Sequence, residues 1–224
     1  MDKFCITTLS CGKRYNNRLL ESLALHADMI SSCSDFFITT DDPSSFEGHD
    51  SVSEVFKVAP VFYDDVKEGS QRKWFNYHLK RVAIRNAFEK GYNKIFYIDS
   101  DIEVVDWDAD FFIKKEKGFW FRSFLTKDHP REKYDFYVDK YRIDLWHYYR
   151  QVSEKIIYIN EDPDKINGVL NTWEFLDDQA SAQINPYSEG HEILIACRFN
   201  GTRVNRYKPD PFKGEKRMRD RHGS

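Results

Sequence analysis

Two aspartates, Asp99 and Asp101, follow a short apolar segment that is typical of a buried strand, Lys94-Ile95-Phe96-Tyr97-Ile98. Such a strand brings both carboxylates to its C-terminal end, which is where open α/β sheets bind their ligands. Carboxylate oxygens suit Mg²⁺ or Mn²⁺, which usually shares its coordination sphere with substrate phosphates. The pattern therefore predicts a divalent metal bound by Asp99 and Asp101, with Ser100 between them. The alternative is a strand followed by an acidic turn that binds no ligand.

The start of the chain predicts a βαβ unit. Residues 4–9 and 36–40 have the apolar and β-branched content of strands, and residues 18–29 between them carry leucines at helical spacing. In such a unit the loop after the first strand and the end of the second strand lie at the same edge of the sheet, where a nucleoside could bind. The candidate contacts to such a ligand are Thr7, Thr8, Tyr15 and Asp41. Acidic residues after a strand are equally common as simple turn formers.

Residues 74–90 predict a helix that has one apolar face and ends at Gly91, a typical C-cap residue. The helix leads directly into the strand that carries the acidic pair. A basic residue on its surface could therefore lie over the two carboxylates and neutralise phosphate charge, and Lys80 and Arg81 are the candidates. A solvent-exposed basic face is the alternative.

The second half of the chain predicts further strands and helices of one domain. The predicted strands are 118–124, 156–160 and 202–207, and the predicted helices are 164–184 and one that begins at Glu189. Residues 126–150 show no clear periodicity, which indicates a surface excursion rather than a second core. We expect one α/β domain over residues 1–212, with a mixed, mostly parallel sheet flanked by helices, and a charged tail over 213–224.

The overall composition is that of an ordinary soluble domain. The 224 residues carry a net charge of −3, which excludes the overall basic field of many nucleic-acid-binding proteins, although local basic patches remain compatible. Four scattered cysteines (Cys5, Cys11, Cys33 and Cys197) do not form a disulfide framework. The chain has neither a signal-peptide pattern nor an apolar run near the ~20 residues of a membrane span. We expect a cytoplasmic protein without a membrane span.

Three segments resemble one family of enzymes. The first is residues 7–42, the second is residues 74–103 with Ile-Phe-Tyr-Ile-Asp-Ser-Asp-Ile at its end, and the third begins with Glu189-Gly190-His191-Glu192. Together they resemble GT-A-fold glycosyltransferases, and most of all the retaining family that includes the histo-blood-group A and B transferases. The third segment is similar to the Glu-x-His segment at the reaction centre of that family. The three segments cover roughly half the chain and leave residues 44–73 and 104–185 unmatched.

This resemblance implies a Rossmann-like GT-A domain that transfers a sugar from a nucleotide-diphosphate donor, in the first instance a UDP-sugar, to a hydroxyl acceptor. It implies that Asp99, Ser100 and Asp101 bind the donor diphosphate through Mn²⁺ or Mg²⁺, and that Glu189 lies beside the anomeric carbon. A carboxylate there acts as nucleophile or stabiliser if configuration is retained, or as general base if it is inverted. Glu192 and His191 are alternatives for the reaction centre.

The chain differs from the patterns of these families at some positions. Asp177-Asp178-Gln179 resembles the Asp-Gln of glycogenin-like transferases, although a solvent-exposed helix face is the favoured interpretation. Glycogenin-like enzymes complete the metal site with a histidine ahead of Phe-x-Gly, where this chain has Arg198. A guanidinium cannot bind a metal cation, so Arg198 is a candidate contact to the donor phosphates, and His191 is an alternative ligand.

Two other functions stay open. A D-x-D after a strand also occurs in haloacid-dehalogenase-like phosphatases, but Glu103 stands where that pattern expects Thr or Val, and their strand usually lies nearer the N-terminus. A non-catalytic module that binds nucleotide sugars, with the aromatic region 119–149 as its recognition surface, is the second alternative. The acceptor stays open between a glycan, a protein and a modified nucleic acid, because the charge pattern does not discriminate among them.

Overall fold

The described residues form eleven strands and six α-helices. The computed structural model describes residues 4–59, 79–104, 107–121, 124–125, 151–152, 155–181, 189–206 and 218–220. The strands are β1 (Cys5–Ser10), β2 (Asp35–Thr40), β3 (Glu54–Lys57), β4 (Lys94–Ile98), β5 (Ile102–Val104), β6 (Gly118–Phe121), β7 (Phe124–Leu125), β8 (Gln151–Val152), β9 (Ile156–Asn160), β10 (Val204–Arg206) and β11 (Met218–Asp220). The helices are α1 (Lys13–Leu23), α2 (Ala27–Ser32), α3 (Lys80–Glu89), α4 (Ala109–Ile113), α5 (Pro163–Ser181) and α6 (Glu189–Phe199), with a 3₁₀ turn at Pro43–Ser45.

A seven-stranded mixed sheet with the order β10-β6-β9-β4-β1-β2-β3 lies at the centre of the fold. β1 is parallel to β2 and β4, β2 is parallel to β3, and β6 is parallel to β10. β9 is antiparallel to both of its neighbours, β4 and β6. The predicted α/β class with a mixed, mostly parallel sheet is therefore confirmed. All strands of this sheet except β9 end at one edge, which we call the carboxyl edge.

Helices cover both faces of the sheet because the central strands are apolar on both sides. Side chains alternate between the faces along each strand. One core, under α3, α5 and α6, contains Leu9 of β1, Ile95 of β4 and the fully buried Trp173 of α5. The other core, under α1, α2 and α4, contains Ile6 of β1 and Phe96 of β4. The residue after β4 that faces the first core is Asp99, which brings it to the same side as α3.

Some element boundaries differ from those predicted. The helix predicted over 18–29 is two helices, because a turn at residues 24–26 ends α1 and starts α2. At that turn the His26 N–H bonds to the carbonyls of both Ser22 and Leu23, the tightening that is common at a helix end. Helix α3 matches the later part of the predicted 74–90 helix, and residues 74–78 lie outside the described residues, as do 126–150.

Part of the charged C-terminal segment pairs with the strand that follows the acidic pair. β11 is antiparallel to β5, with Asp220 opposite Ile102 and Arg219 opposite Glu103. The highly charged composition of this segment does not predict a strand, so sequence reasoning missed this pairing. The pairing brings the backbone of residues 218–220 next to the strand that begins directly after Asp101.

Among the described residues, no helix combines the length and the apolar character that crossing a membrane requires. The predicted absence of a membrane span agrees with this finding. The cytoplasmic localisation stays a prediction.

Candidate functional site

The acidic pair and the ends of the first two strands meet at the carboxyl edge. Thr7 of β1 is level with Tyr97 of β4, and Ser10 of β1 is level with Thr40 of β2. The loop after β1, the turn after β2 and the D-x-D after β4 are therefore neighbours. This is the arrangement in which open α/β sheets form their ligand crevice.

Both aspartates of the acidic pair are buried, and Asp99 contacts a buried lysine. Asp99 and Asp101 are 8% and 4% exposed, and Lys80 in the first turn of α3 is only 2% exposed. The Lys80 Nζ lies 3.1 Å from Oδ1 and 3.3 Å from Oδ2 of Asp99. The Tyr97 hydroxyl donates a hydrogen bond of 2.8 Å to the same Oδ1, which is possible because residues two apart on a strand share a face.

Burying charged groups is costly, so their combination here points to a use for them. An ion pair removed from water gains little net stability over an apolar pair of the same size. Here the Lys80 ammonium and the carboxylates of Asp99 and Asp101 are all buried, at the edge where a ligand is expected. We therefore interpret Lys80, Asp99 and Asp101 as the centre of a binding site for charged ligands.

The chemistry of this donor set fits a hard divalent cation. Asp99 and Asp101 supply carboxylate oxygens, the ligand type that Mg²⁺ and Mn²⁺ prefer. Across the described ranges, no group of three or more His, Cys, Asp or Glu side chains is arranged to hold a metal ion. Two carboxylates suit a cation that takes its remaining ligands from water and from the phosphates of a substrate.

Arg81 and Arg85 of α3 form ion pairs with α5. The Arg81 Nε lies 2.9 Å from Asp177 Oδ2, and its Nη1 lies 2.7 Å from Glu174 Oε1. Arg85 also bonds to Glu174, at 3.2 Å. Asp177 is 5% exposed, so the interpretation of its segment as a solvent-exposed helix face is wrong for this residue. These pairs orient the first turn of α3, which also carries Lys80.

The loop between β1 and α1 is held by the end of β2. The N–H of Gly12 donates to both carboxylate oxygens of Asp41, at 2.9 and 3.0 Å, and Asn16 Nδ2 donates to Asp41 at 3.3 Å. Asn16 Oδ1 accepts a hydrogen bond of 2.7 Å from Ser10. Gly12 has a φ of 86°, a conformation that favours glycine. Asp41 thus supports the loop that the βαβ pattern associates with a nucleoside.

This geometry predicts that Asp41→Ala destabilises the fold by about 1–2 kcal/mol, the usual cost of removing a helix-capping acceptor. The reason is that Gly12 and Asn16 both lose an acceptor at the start of α1. Urea unfolding monitored by circular dichroism would measure the change, with the exposed Glu47→Ala as the control. Unchanged stability together with lost nucleotide binding would instead assign Asp41 to the ligand.

The remaining candidates on β1 and α1 have different positions. Thr7 faces α3 and its hydroxyl donates to the carbonyl of Ala83 at 3.1 Å, which is a contact inside the fold. The Thr8 Oγ1 is fully buried and has no hydrogen-bond partner within the part of the chain that the structure describes. Tyr15 lies in the first turn of α1 and is half-buried.

The buried thiol at this edge is not a candidate nucleophile. Cys11 lies in the loop after β1, and burial, with a smaller effect of the Asp41 charge, raises its pKa to about 12. A thiol with such a pKa is almost entirely protonated at neutral pH and reacts slowly. The four cysteines are all free, in agreement with the absence of a disulfide pattern.

Helix α6 ends near the edge of the sheet opposite the carboxyl edge. Its C-terminal end leads into β10, and the N–H of Thr202 bonds to the carbonyl of Cys197 at 2.8 Å where this connection begins. β10 starts at the edge opposite the carboxyl edge, since Val204 is level with Phe119 near the start of β6. Arg198 is exposed near that opposite edge, so the structure does not bring it to the acidic pair.

The segment Glu189-Gly190-His191-Glu192 forms the N-terminal end of α6, the end away from β10. The helix begins with Glu189, and His191 belongs to its first turn. Glu192, one turn from the start, is fully buried. The Glu-x-His-Glu segment therefore lies at the end of α6 that is farther from the start of β10.

Two contributors to this edge were missed by sequence reasoning. Tyr97 bonds to Asp99, and the signal for it was its place two residues earlier on the same strand. Asn16 joins β1, β2 and α1, and no sequence signal distinguishes it from an exposed helix residue.

Comparisons with known proteins do not assign the chain to a family. No protein-family model matches the chain, and no curated protein is significantly similar to it. The resemblance to GT-A glycosyltransferases therefore stays a hypothesis, and the function has to be argued from the site.

Proposed function

We propose that the protein is a metal-dependent glycosyltransferase that moves a sugar from a nucleotide-diphosphate donor, in the first instance a UDP-sugar, to a hydroxyl acceptor. The observation that carries this proposal is the buried acidic pair Asp99 and Asp101 at the carboxyl edge, with the buried Lys80 beside it. Breaking the bond between the sugar and the diphosphate builds negative charge on the leaving group. Fixed cations next to that charge lower the barrier to its departure.

The residues in and around the acidic pair have distinct roles in this proposal. Asp99 and Asp101 would hold Mn²⁺ or Mg²⁺, which when bound would supply positive charge to the leaving diphosphate. Lys80 would add a second positive charge at the same place. Tyr97 keeps the Asp99 carboxylate oriented through its 2.8 Å hydrogen bond, and the Arg81 ion pairs hold the first turn of α3 in position.

The nucleoside would bind between the loop after β1 and the end of β2. Asp41 keeps that loop in place through the N–H of Gly12, so the loop is preorganised before a ligand binds. Tyr15 is the proposed contact from α1, whereas the Thr8 hydroxyl is fully buried inside the fold. This position puts the base on one side of the acidic pair and leaves the other side to the sugar.

The start of α6 would supply the carboxylate that acts at the anomeric carbon. Glu189 is the proposed residue, and its role with retention of configuration would be that of nucleophile or stabiliser of an oxocarbenium-like centre. His191 in the same turn would contact the acceptor. A glycan, a protein or a modified nucleic acid is the proposed acceptor class.

A panel of nucleotide sugars tests this proposal. With Mn²⁺ present, we expect one donor to be hydrolysed slowly and to stabilise the protein by about 2.7 kcal/mol at a hundred times its dissociation constant. Chelation of the metal should remove both effects. An acceptor array with that donor then identifies the product, and its anomeric configuration distinguishes retention from inversion.

The same assay separates the alternatives. Release of phosphate from phosphate esters without use of any nucleotide sugar would contradict the proposal in favour of a phosphohydrolase. Donor binding without turnover on any acceptor would favour a non-catalytic module. No response to any nucleotide sugar with Mn²⁺ or Mg²⁺ would overturn both the transferase and the nucleotide-sugar module.

A further inference from the structure

Lys80 neutralises part of the acidic pair within the protein itself. Its Nζ is within 3.3 Å of both carboxylate oxygens of Asp99, and the side chain is almost completely removed from water. A buried ammonium requires a nearby anion, because burying an unpaired charge costs a large part of the stability of a domain. Any cation that binds to Asp99 therefore competes with Lys80 for that carboxylate.

We infer that Lys80 makes the binding of the metal and of the diphosphate depend on each other, an inference that rests on the proposed function. When a divalent cation binds both carboxylates while Lys80 stays in place, the buried site holds more positive than negative charge. A diphosphate removes this excess and gives Lys80 a new anionic partner. Lys80 thus disfavours binding of the metal alone and favours binding of the metal together with its anion.

The neighbouring arginine does not have this role. Arg81 already has the carboxylates of Asp177 and Glu174 as partners, at 2.9 and 2.7 Å, and neither belongs to the acidic pair. Metal binding to Asp99 leaves those pairs unchanged. A metal that binds to Asp99 therefore competes with Lys80, and not with Arg81, for a carboxylate.

The inference predicts a measurable coupling. In the wild type, saturating UDP should raise the affinity for Mn²⁺ at least tenfold, within the roughly 5–150-fold range of typical coupling between ligands. In Lys80→Gln, Mn²⁺ alone should bind more tightly than in the wild type, because the site has lost a competing positive charge. The coupling factor in that variant should fall by about tenfold, and reciprocity requires the same factor for UDP measured with and without Mn²⁺.

Free Mn²⁺ measured by electron paramagnetic resonance during titrations with and without UDP gives both affinities without an activity assay. The variants are Lys80→Gln, whose amide can still bond to Asp99, and Lys80→Arg, which keeps the charge and should keep the coupling. Lys114→Gln, which changes an exposed lysine of the loop after α4, is the matched control. Thermal unfolding monitored by circular dichroism establishes that each variant is folded.

The outcomes distinguish this inference from the proposed function. A wild type that binds Mn²⁺ equally well with and without UDP overturns the inference, whatever the variants do. An unchanged coupling factor in folded Lys80→Gln also overturns it, while the proposed function stands. A wild type that binds neither Mn²⁺ nor any nucleoside diphosphate overturns the proposed function itself.

Discussion

Asp101→Asn is expected to abolish metal-dependent donor binding and to lower kcat/KM for sugar transfer by about 10³-fold, the effect of removing one strong electrostatic stabiliser. The amide has the size of the carboxylate but lacks the charge that a hard divalent cation requires. Because Asp101 is only 4% exposed, a side chain at the protein surface cannot easily replace its carboxylate as a ligand. Steady-state kinetics and Mn²⁺ titration would measure the two effects.

Two comparisons make this prediction specific. Asp110→Asn makes the same chemical change on an exposed residue of α4 and should leave both quantities unchanged. Asp99→Asn should differ from Asp101→Asn by also lowering the free energy of unfolding by about 3–5 kcal/mol, because it removes one charge of a buried ion pair with Lys80. Wild-type metal dependence in Asp101→Asn would remove Asp101 from the proposed metal site.

The fold could be predicted where the local pattern is strong. β9 coincides with the predicted strand 156–160, because four consecutive β-prone residues, Ile-Ile-Tyr-Ile, occur there between polar ones. Its antiparallel direction could not be predicted, since periodicity carries no information about strand direction. β11 was missed because Met218–Asp220 is charged, and its partner β5 is far away in the sequence.

The site could be predicted where its residues are adjacent in the sequence. Asp99 and Asp101 were candidates because a strand and its end lie in one segment. Lys80 and Arg81 could not be told apart, because consecutive helix residues point about 100° apart and packing alone sets the rotation of the helix. The structure directs Lys80 to Asp99 and Arg81 to α5.

The remaining differences between prediction and structure depend on contacts between residues that are far apart in the sequence. The buried position of Asp177 depends on Arg81, which lies on another helix. The position of Arg198 depends on the direction of α6, which is set by its connection to β10 rather than by the local Phe-x-Gly pattern. Neither relation has a signal within a short segment of sequence.

Glu189→Gln and Glu192→Gln are expected to have different effects, which would decide between the two carboxylates of α6. Glu189 begins the helix, whereas Glu192 is fully buried one turn later. Loss of a catalytic carboxylate should lower kcat by about 10²–10⁴-fold with little change in stability. We expect this result for Glu189→Gln.

Glu192→Gln should instead lower the free energy of unfolding by about 1–3 kcal/mol, because the amide does not reproduce the interactions of a buried carboxyl group. A fully buried group that packs inside the protein cannot reach a sugar without a rearrangement of the helix, so the effect on kcat should be much smaller. Urea unfolding and initial-rate kinetics on the same preparations, with the exposed Glu47→Gln as control, measure both quantities. A stable Glu192→Gln with the larger loss of kcat would transfer the proposed reaction-centre role from Glu189 to Glu192.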